Sequence, residues 1–360
     1  MNEFFILLGE DFRVVTTLPR NNKELKGGKN YDDIAYCIFA GESDSGHQEA
    51  LRLAREADVC VFGACSQEYA IERARRRPVG LSFEMGERWL KRGWINILSP
   101  TFLRWCFNYA RLYRTRPFYK LCCSGYTALD DNKLGVYQGR HYKWGYFTKV
   151  EPLDVPLHKK NQDNTISIMW CARFIALKHP ELVVELAHRL ANNHLQFQID
   201  FYGAGDEMER IKRLCCKLGV DEFIHFKGML PNEKILSAMR EHDVFLFTSD
   251  RMEGWGAVAN EAMSNKCCLV ISDEIGCVPF LIEDNVNAVV FKSKSSESLY
   301  EKVRFLVDNP STRSRIAERA YQDMAEKWSP QQAAKNFLSL VDNLQGKGAH
   351  HIVDGPCSLA

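Results

Sequence analysis

The sequence predicts an α/β protein of two domains, each a doubly wound parallel sheet flanked by helices. Three observations lead there. The chain has 360 residues, enough for roughly two domains of about 100 to 200 residues each. Its second half alternates short β-branched or apolar runs with amphipathic stretches in unbroken succession, and its first half repeats the pattern less regularly. Apolar residues make up 46% and charged residues 26%, a globular balance that excludes a disordered or fibrous chain.

In the second half TISIMWC (165–171) reads as a strand and HPELVVELAHRLANN as a helix. QFQIDFYG, EMERIKRLCCKLG, EFIHFKG, NEKILSAMREHD, VFLFTS, AVANEAMSNK, CLVIS and AVVF continue the strand-helix order of a parallel sheet. Three helical segments close the chain; the last starts with Ser329 as N-cap, Pro330 at the first helical position and Gln332 three residues on. In the first half FRVVTT, DVCVFG, PVGLSF and KLCCSG read as buried strands, with the helix GHQEALRLAREA among them. Residues 150–163 hold two prolines and no sustained period, so they read as the linker. The expected organisation is an N-terminal domain over 1–153, a C-terminal domain over 154–328, a helix over 329–345, and a flexible tail over 346–360.

Lys plus Arg number 47 against 46 Asp plus Glu, so overall charge argues against a nucleic-acid partner. The halves differ: residues 1–150 carry 23 basic and 17 acidic side chains, residues 151–360 carry 24 and 29. The opening MNEFFILLGEDF has no basic start and only a short apolar run, Phe4 to Leu8, too short for the core of a secretory signal. No stretch reaches the 18 or so apolar residues that cross a bilayer. A cytoplasmic protein is expected, with any membrane contact peripheral. The 13 cysteines then read as reduced thiols, and the pairs Cys122-Cys123, Cys215-Cys216 and Cys267-Cys268 as small buried hydrophobes. No CxxC occurs, and His350-His351 reads as part of the loose tail, so no metal site is expected.

Three loops carry candidate chemistry. In TSDRMEGWGAVANEAMSNK a strand ends at Phe247, a loop with two glycines follows, and a helix begins near Ala257 with Glu261 on its second turn. Strand ends of this kind are where open α/β sheets bind ligands. Gly254 and Gly256 permit close backbone approach, and the helix N-terminus suits a phosphate. Glu253 and Glu261 suit hydroxyl pairs, since a carboxylate accepts through two oxygens; a tight turn and a solvated helical glutamate account for the same residues. In WCARFIALKHP, Arg173 and Lys178 follow the first strand of the C-terminal domain, a pair able to neutralise a diphosphate, though exposed basic loop residues are common. FYGAGDEMERIK places Gly203 and Gly205 after a strand but has Met208 where a dinucleotide fingerprint has its third glycine. It reads as a tight turn, with Asp206 capping the helix.

Taken together and in order, these motifs resemble the retaining glycosyltransferases of family 4, with the GT-B architecture of two facing Rossmann-like domains. The match runs over about 165–345 and includes the E-x7-E pair Glu253 and Glu261, the basic pair Arg173 and Lys178, the Gly203/Gly205 turn, and SDEIGCVPFLIEDNVNAVVF. The resemblance implies that the helix over 329–345 crosses back to the N-terminal domain, that Arg173 and Lys178 hold the donor diphosphate, that Glu253 contacts the donor sugar and that Glu261 binds the ribose. It also implies that Gly254, Trp255, Gly256, Ala257 and Val258 receive sugar and phosphate, and that the base lies near Gly228, Met229 and Leu230. The implied reaction retains anomeric configuration and uses no covalent nucleophile, no metal, and no cofactor beyond the nucleotide sugar. The implied acceptor is a glycan or lipid-linked molecule of a capsule, exopolysaccharide or other surface glycan. A non-catalytic glycosyltransferase-like binding subunit and a sugar-nucleotide epimerase remain as alternatives.

The N-terminal half departs from the resemblance. Such domains open with a strand and a glycine-containing loop, whereas NEFFILLGEDFRVVTT resembles the helix and strand that come next, so the first strand is expected to be missing. In SFEMGER, Ser82, Glu84, Glu87 and Arg88 follow an expected strand end and are acceptor-side candidates; His47 and His141 carry no assignment. Residues 86–120 contain eight Lys or Arg, one Glu and nine aromatics. Two readings stand side by side: a peripheral contact with an anionic membrane, or a core helix whose cations form a solvated face.

Overall fold

The structure is a computed structural model that describes residues 1–17, 34–153, 165–348 and 352–360. The chain divides into two compact units, Met1–Trp144 with Pro330–Ala360, and Gly145–Ser329.

The first unit opens on α1 (Asn2–Leu8) and β1 (Val14–Thr16), which pairs in parallel with β2 (Cys37–Phe39). Helix α2 (Asp44–Glu56) starts where the Ser43 hydroxyl accepts from the Gly46 N–H at 3.1 Å, the N-cap geometry that satisfies an orphan donor. Then come β3 (Val59–Phe62), α3 (Gln67–Arg76), β4 (Leu81–Gly86), α4 (Pro100–Asn108), β5 (Phe118–Cys122), α5 (Thr127–Lys133) and β6 (His141–Lys143). Strands β3 to β6 form a parallel sheet in that order. Strands β2 and β6, three residues each, go unread in the sequence.

The second unit follows the strand-helix alternation closely: β7 (Ile166–Cys171), α6 (Pro180–Asn192), β8 (Phe197–Tyr202), α7 (Met208–Leu218), β9 (Ile224–Gly228), α8 (Asn232–Glu241), β10 (Val244–Phe247), α9 (Ala257–Ser264), β11 (Cys268–Ser272), α10 (Val278–Leu281), β12 (Val289–Phe291), α11 (Ser296–Asp308) and α12 (Pro310–Glu326). Every residue of β10 and β11 is buried, which is why these strands are continuous apolar runs and not alternating ones. The sheet is parallel throughout, ordered β12-β11-β10-β7-β8-β9. Chain direction across the sheet therefore reverses between β7 and β10, and their carboxyl ends flank the switch point where such folds bind ligands.

Several expectations are corrected. The boundary falls after Trp144, ahead of the expected 153. The irregular segment after it belongs to the second unit: the Asn260 amide donates to the Tyr146 carbonyl at 3.0 Å and the Leu153 N–H to the Tyr321 hydroxyl at 3.3 Å. Extended chain packed by its own side chains has no periodicity, so it reads as linker; residues 154–163 of that linker lie outside the described residues. Helix α13 (Pro330–Leu344), by contrast, belongs to the first unit as expected, where Phe337 meets Phe4, Phe83 and Trp144 with ring centroids 5.0 to 5.8 Å apart.

The end of the chain is ordered. The Cys357 N–H donates to Lys143 O at 2.7 Å, the Lys143 N–H to Ser358 O at 2.8 Å, and the Ala360 N–H to His141 O at 3.1 Å. This short antiparallel pairing covers the edge of β6 through backbone groups, which explains why the composition of 352–360 gave no sign of it; His350 and His351 lie outside the described residues. Helix α7 has Glu207 at its N-cap position with no side-chain cap, so Asp206 does not cap it. Of the paired cysteines, Cys216 is exposed, its thiol 2.8 Å from Asp221 Oδ1, while Cys122, Cys123, Cys215, Cys267 and Cys268 are buried. Among the described residues no cluster of His, Cys, Asp and Glu could hold a metal ion.

Candidate functional site

The candidate site is built at the carboxyl end of the second sheet. After β7 the backbone lies directly against the turn after β8: the Ala172 N–H donates to Tyr202 O at 3.1 Å, the Phe174 N–H to Ala204 O at 3.0 Å, and the Glu207 N–H to Phe174 O at 3.0 Å. That approach is what Gly203 and Gly205 permit. A Cβ on Gly203 would fall 2.0 Å from Ala172 O, and one on Gly205 2.4 Å from Phe174 O, distances no side chain can occupy. The two glycines thus brace the loop that carries Arg173 and Lys178, with buried Phe174 as its anchor.

Lys178 ends a short turn, Ala176–Lys178, before α6. Its position is fixed through its backbone: the Trp170 indole N–H donates to Thr248 Oγ1 at 2.9 Å, and the Thr248 hydroxyl donates to Lys178 O at 2.6 Å. Its ammonium pairs with Glu253 Oε2 and sits 5.5 Å from the centroid of the Phe247 ring. Both partners of the ion pair are mostly buried, 14% and 18% exposed, so the contact is screened less than one at the surface. Arg173, on the same loop, is exposed and makes no ion pair with any described residue.

His179 follows in the left-handed region at φ 47°, a conformation uncommon for a residue with a side chain. Its ring holds it there, with Nδ1 2.9 Å from Glu181 Oε1 and Nε2 3.1 Å from Asp250 Oδ2. Asp250 also receives Lys294 Nζ at 3.0 Å and the Met252 N–H at 3.0 Å, while its own N–H donates to Leu177 O at 3.2 Å and its carbonyl accepts from the Glu253 N–H at 2.9 Å. Asp250 therefore clamps the Lys178 turn to the Glu253 loop. The hydrogen bond to Glu181 foremost, joined by Asp250, raises the His179 pKa against the opposing effect of burial. Burial pushes the Asp250 carboxyl up, but the Met252 N–H, His179 and Lys294 together hold it below its ordinary value.

The loop then turns into α9. Gly256 sits at φ 89°, and a Cβ there would meet the Phe247 ring at 2.4 Å. Ala257 and Val258 form the first turn of the helix, whose N–H groups have no partner within the helix and carry its positive dipole end. On the next turn Glu261 is half-buried, which raises its pKa, opposed by a hydrogen bond with Asn232. Asn232 opens α8 immediately beyond Gly228, Met229 and Leu230, where Gly228 turns the chain at φ 70° and both following side chains are exposed. The ends of β7, β9 and β10 are thus tied together by Lys178–Glu253 and Glu261–Asn232.

Trp255 departs from its expected place. Its side chain is 1% exposed, its indole N–H donates to Asn260 Oδ1 at 2.8 Å, and it packs on Tyr146 and Trp328. It anchors the loop from beneath, over Gly145, where a Cβ would lie 2.5 Å from the indole, and so its ring is not available to a ligand.

The acceptor-side candidates in the first unit are also corrected. Ser82 and Glu84 lie within β4 and not after it. Ser82 is fully buried, its hydroxyl donating to Gly80 O at 3.0 Å. Glu84 accepts from Lys120 Nζ at 2.8 Å, and from the Trp105 indole and the Tyr137 hydroxyl at 2.9 Å each. Arg88 is bound through two hydrogen bonds of 3.0 Å to Asp130, and Glu87 pairs with Lys91. Their donors and acceptors are committed to internal partners. The sequence did not single out Thr248, His179, Asp250 or Lys294; the TSD run at a strand end was the one available signal.

Residues 156–323 match the family model Glycosyl transferases group 1. Poly(glycerol-phosphate) alpha-glucosyltransferase of Bacillus subtilis is 28% identical over 216 residues, 60% of this chain and 31% of that protein. The chain spans only 31% and 56% of the lengths of two curated relatives that it matches. Among solved structures, a glycosyltransferase from Rickettsia africae superposes with TM-score 0.72 at 13% identity, over 96% of this chain and 93% of that one. Anabaena Alr3699/HepE in complex with UDP gives 0.62 at 16% identity, over 84% and 85%. The fold is therefore the two-domain α/β architecture of GT-B glycosyltransferases, as the sequence predicted, and its second unit carries the stretch that is similar to glycosyl transferases group 1.

Proposed function

We propose that this protein is a retaining glycosyltransferase of family 4 that moves a sugar, of hexose type, from a nucleoside-diphosphate donor to a glycan or lipid-linked acceptor in the assembly of a surface polysaccharide. The observation that carries this reading is the Lys178–Glu253 pair at the switch point, beside the N-terminus of α9. A cation, a carboxylate and free helix amides in one place serve a ligand that presents both phosphate oxygens and hydroxyls. The names of the relatives support it, and so does the UDP bound by the Anabaena protein.

On this reading Arg173, Lys178 and the amides of Ala257 and Val258 hold the diphosphate. As the anomeric C–O bond breaks, negative charge grows on the leaving phosphate oxygens and the sugar becomes oxocarbenium-like. Preorganised positive groups stabilise that charge more than they do the ground state. Glu253 accepts from the sugar hydroxyls once the diphosphate has taken its place on Lys178, Glu261 takes the ribose, and the base rests near Gly228, Met229 and Leu230. Gly254 and Gly256 keep the loop backbone close to the ligand, and Gly203 and Gly205 support the Arg173 loop. We propose no metal, no cofactor beyond the donor, and no nucleic-acid partner. The reading places the protein in the cytoplasm, where a lipid-linked acceptor is met at the inner face of the membrane; no helix among the described residues is long and apolar enough to cross one.

The test is a thermal-shift panel of nucleotide sugars followed by a transfer assay with the donor that shifts most. Stabilisation by one donor, with transfer reduced by orders of magnitude in Lys178→Ala and Glu253→Ala variants that remain folded at the assay temperature, is the expected result. No shift with any donor, or near-normal turnover in both variants, overturns it.

A further inference from the structure

We infer that the face formed by the turn Gly93–Leu98 and helix α4 docks on an anionic bilayer surface. This extends the acceptor half of the proposed function, and it can fail without that reading failing.

The segment 86–120 resolves into two sets of side chains. Phe102, Trp105, Tyr109, Leu112 and Tyr113 are buried, with Trp89 packed against Phe102 and Trp105 at 5.2 and 5.0 Å between rings. These are core, and they account for most of the aromatics that the sequence shows. Left outside are Trp94, Ile95, Leu98, Leu103 and Phe107, each between 56% and 75% exposed. Single exposed apolar residues are ordinary on a soluble surface. Five large ones within fourteen consecutive positions, on two elements that pack on each other, are not scattered. Leu103 and Phe107 stand one helical turn apart, on the side of α4 opposite the buried Phe102 and Trp105.

The charges around this face identify what it meets. No Asp or Glu occurs between Glu87 and Asp130, while that interval holds eight Lys or Arg. Arg92, Arg104 and Arg114 are exposed and make no ion pair with any described residue, and Arg111 lies 5.8 Å from the centroid of the Phe107 ring. Cations interleaved with a tryptophan, a phenylalanine and aliphatic side chains match a surface of anionic headgroups over acyl chains. A second copy of the chain fits poorly, because a face that is cationic throughout repels itself across a twofold axis.

The test is sedimentation of the full chain with vesicles of phosphatidylcholine, alone and with about one third phosphatidylglycerol. The expected result is salt-sensitive binding to the anionic vesicles and little to the neutral ones. Two surface variants divide the contributions. Trp94→Ser with Phe107→Ser removes apolar anchoring, and Arg104→Gln with Arg111→Gln lowers partitioning at low salt by about thirtyfold, at about fivefold per cation. Both should keep the melting temperature and the nucleoside-diphosphate affinity of the unaltered chain, which are measured without lipid and so test the proposed function separately. Protein that stays in the supernatant at low salt, variants that bind as well as the unaltered chain, or a change confined to a concentration-dependent dimer would each overturn the inference.

Discussion

Lys178 and Glu253 respond in opposite directions to the same ligand if the site works as proposed. In the free protein the Lys178 ammonium is held by the Glu253 carboxylate, so a diphosphate must displace one anion to reach its cation. Hydrogen bonds to charged groups contribute about 1.5 to 3 kcal/mol net, and the partial exposure of this pair reduces that to about 1 to 2 kcal/mol. Glu253→Gln removes the competing charge while keeping the shape. Its expected effect is to tighten binding of a bare nucleoside diphosphate by about five- to thirtyfold. Lys178→Met removes the cation and should weaken the same ligand by about ten- to a hundredfold. With the intact sugar donor, Glu253→Gln loses the hydroxyl acceptor, so transfer falls even as the product diphosphate binds more tightly. Titration calorimetry of both variants, with and without the sugar, reads this directly. If Glu253→Gln weakens the bare diphosphate as much as Lys178→Met does, or if Lys178→Met leaves its affinity unchanged, the assignment of the pair is wrong.

Three further outcomes follow from the geometry. Gly256→Ala places a Cβ against the Phe247 ring at φ 89° and should cost about 2 to 4 kcal/mol by chemical denaturation. Gly219→Ala, at φ 65° with open space around it, should cost only about 1 kcal/mol; equal losses would remove the packing argument. In the first unit, Lys120 is 1% exposed against Glu84. Lys120→Met should destabilise by about 3 to 5 kcal/mol because it strands the carboxylate, and adding Glu84→Gln should recover a large part; urea melts of the single and double variants check this. The third concerns pH. His179 has a folded pKa raised above 6.5 by Glu181 first and then Asp250, so the stability that it contributes is present below pH 6.5 and is lost as pH rises through the folded value. Glu181 and Asp250 have pKa values lowered from 4.5 and 3.8, so their share is present above those values and lost as pH falls through the folded ones. His179→Gln should therefore flatten the decline in stability above pH 6.5, and an unchanged pH profile would show that the ring carries no charge there.

The second unit was legible because its strands are covered on both faces. Burial on two sides forces runs such as VFLF and CLVIS, and those runs, alternating with amphipathic helices, determine the order of elements before any coordinates. Strand ends then located Arg173, Lys178, Glu253 and Glu261. The sequence could not show what holds those residues in place. The link from Trp170 through Thr248 to the Lys178 carbonyl, and the Asp250 clamp, join positions some 70 or more residues apart. Strand β4 shows the same limit from the other side. Its polar second half, beginning at Glu84, looks like a loop because its partners Trp105, Lys120 and Tyr137 lie 21 to 53 residues away. A carboxylate inside a sheet is unreadable until the groups that neutralise it are known. Trp255 departs in the reverse direction: the resemblance put it among the residues that receive sugar and phosphate, and only the packing on Tyr146 and Trp328 reveals an anchor.

The proposed diphosphate site carries one physical difficulty, which the geometry relieves. Two carboxylates beside an anion site should repel the anion, and burial makes such repulsion stronger. Glu261 reduces it because burial favours its neutral form, and Glu253 reduces it because its charge is already matched by Lys178. Exchanging Glu253 for a phosphate on that lysine replaces one desolvated pair with another, so the site never has to bury an unpartnered charge. Arg173 is left to supply the uncompensated attraction: it is exposed and carries no carboxylate among the described residues. The basic pair Arg173 and Lys178 is therefore divided in the structure, with one cation held by an internal anion and the other solvated.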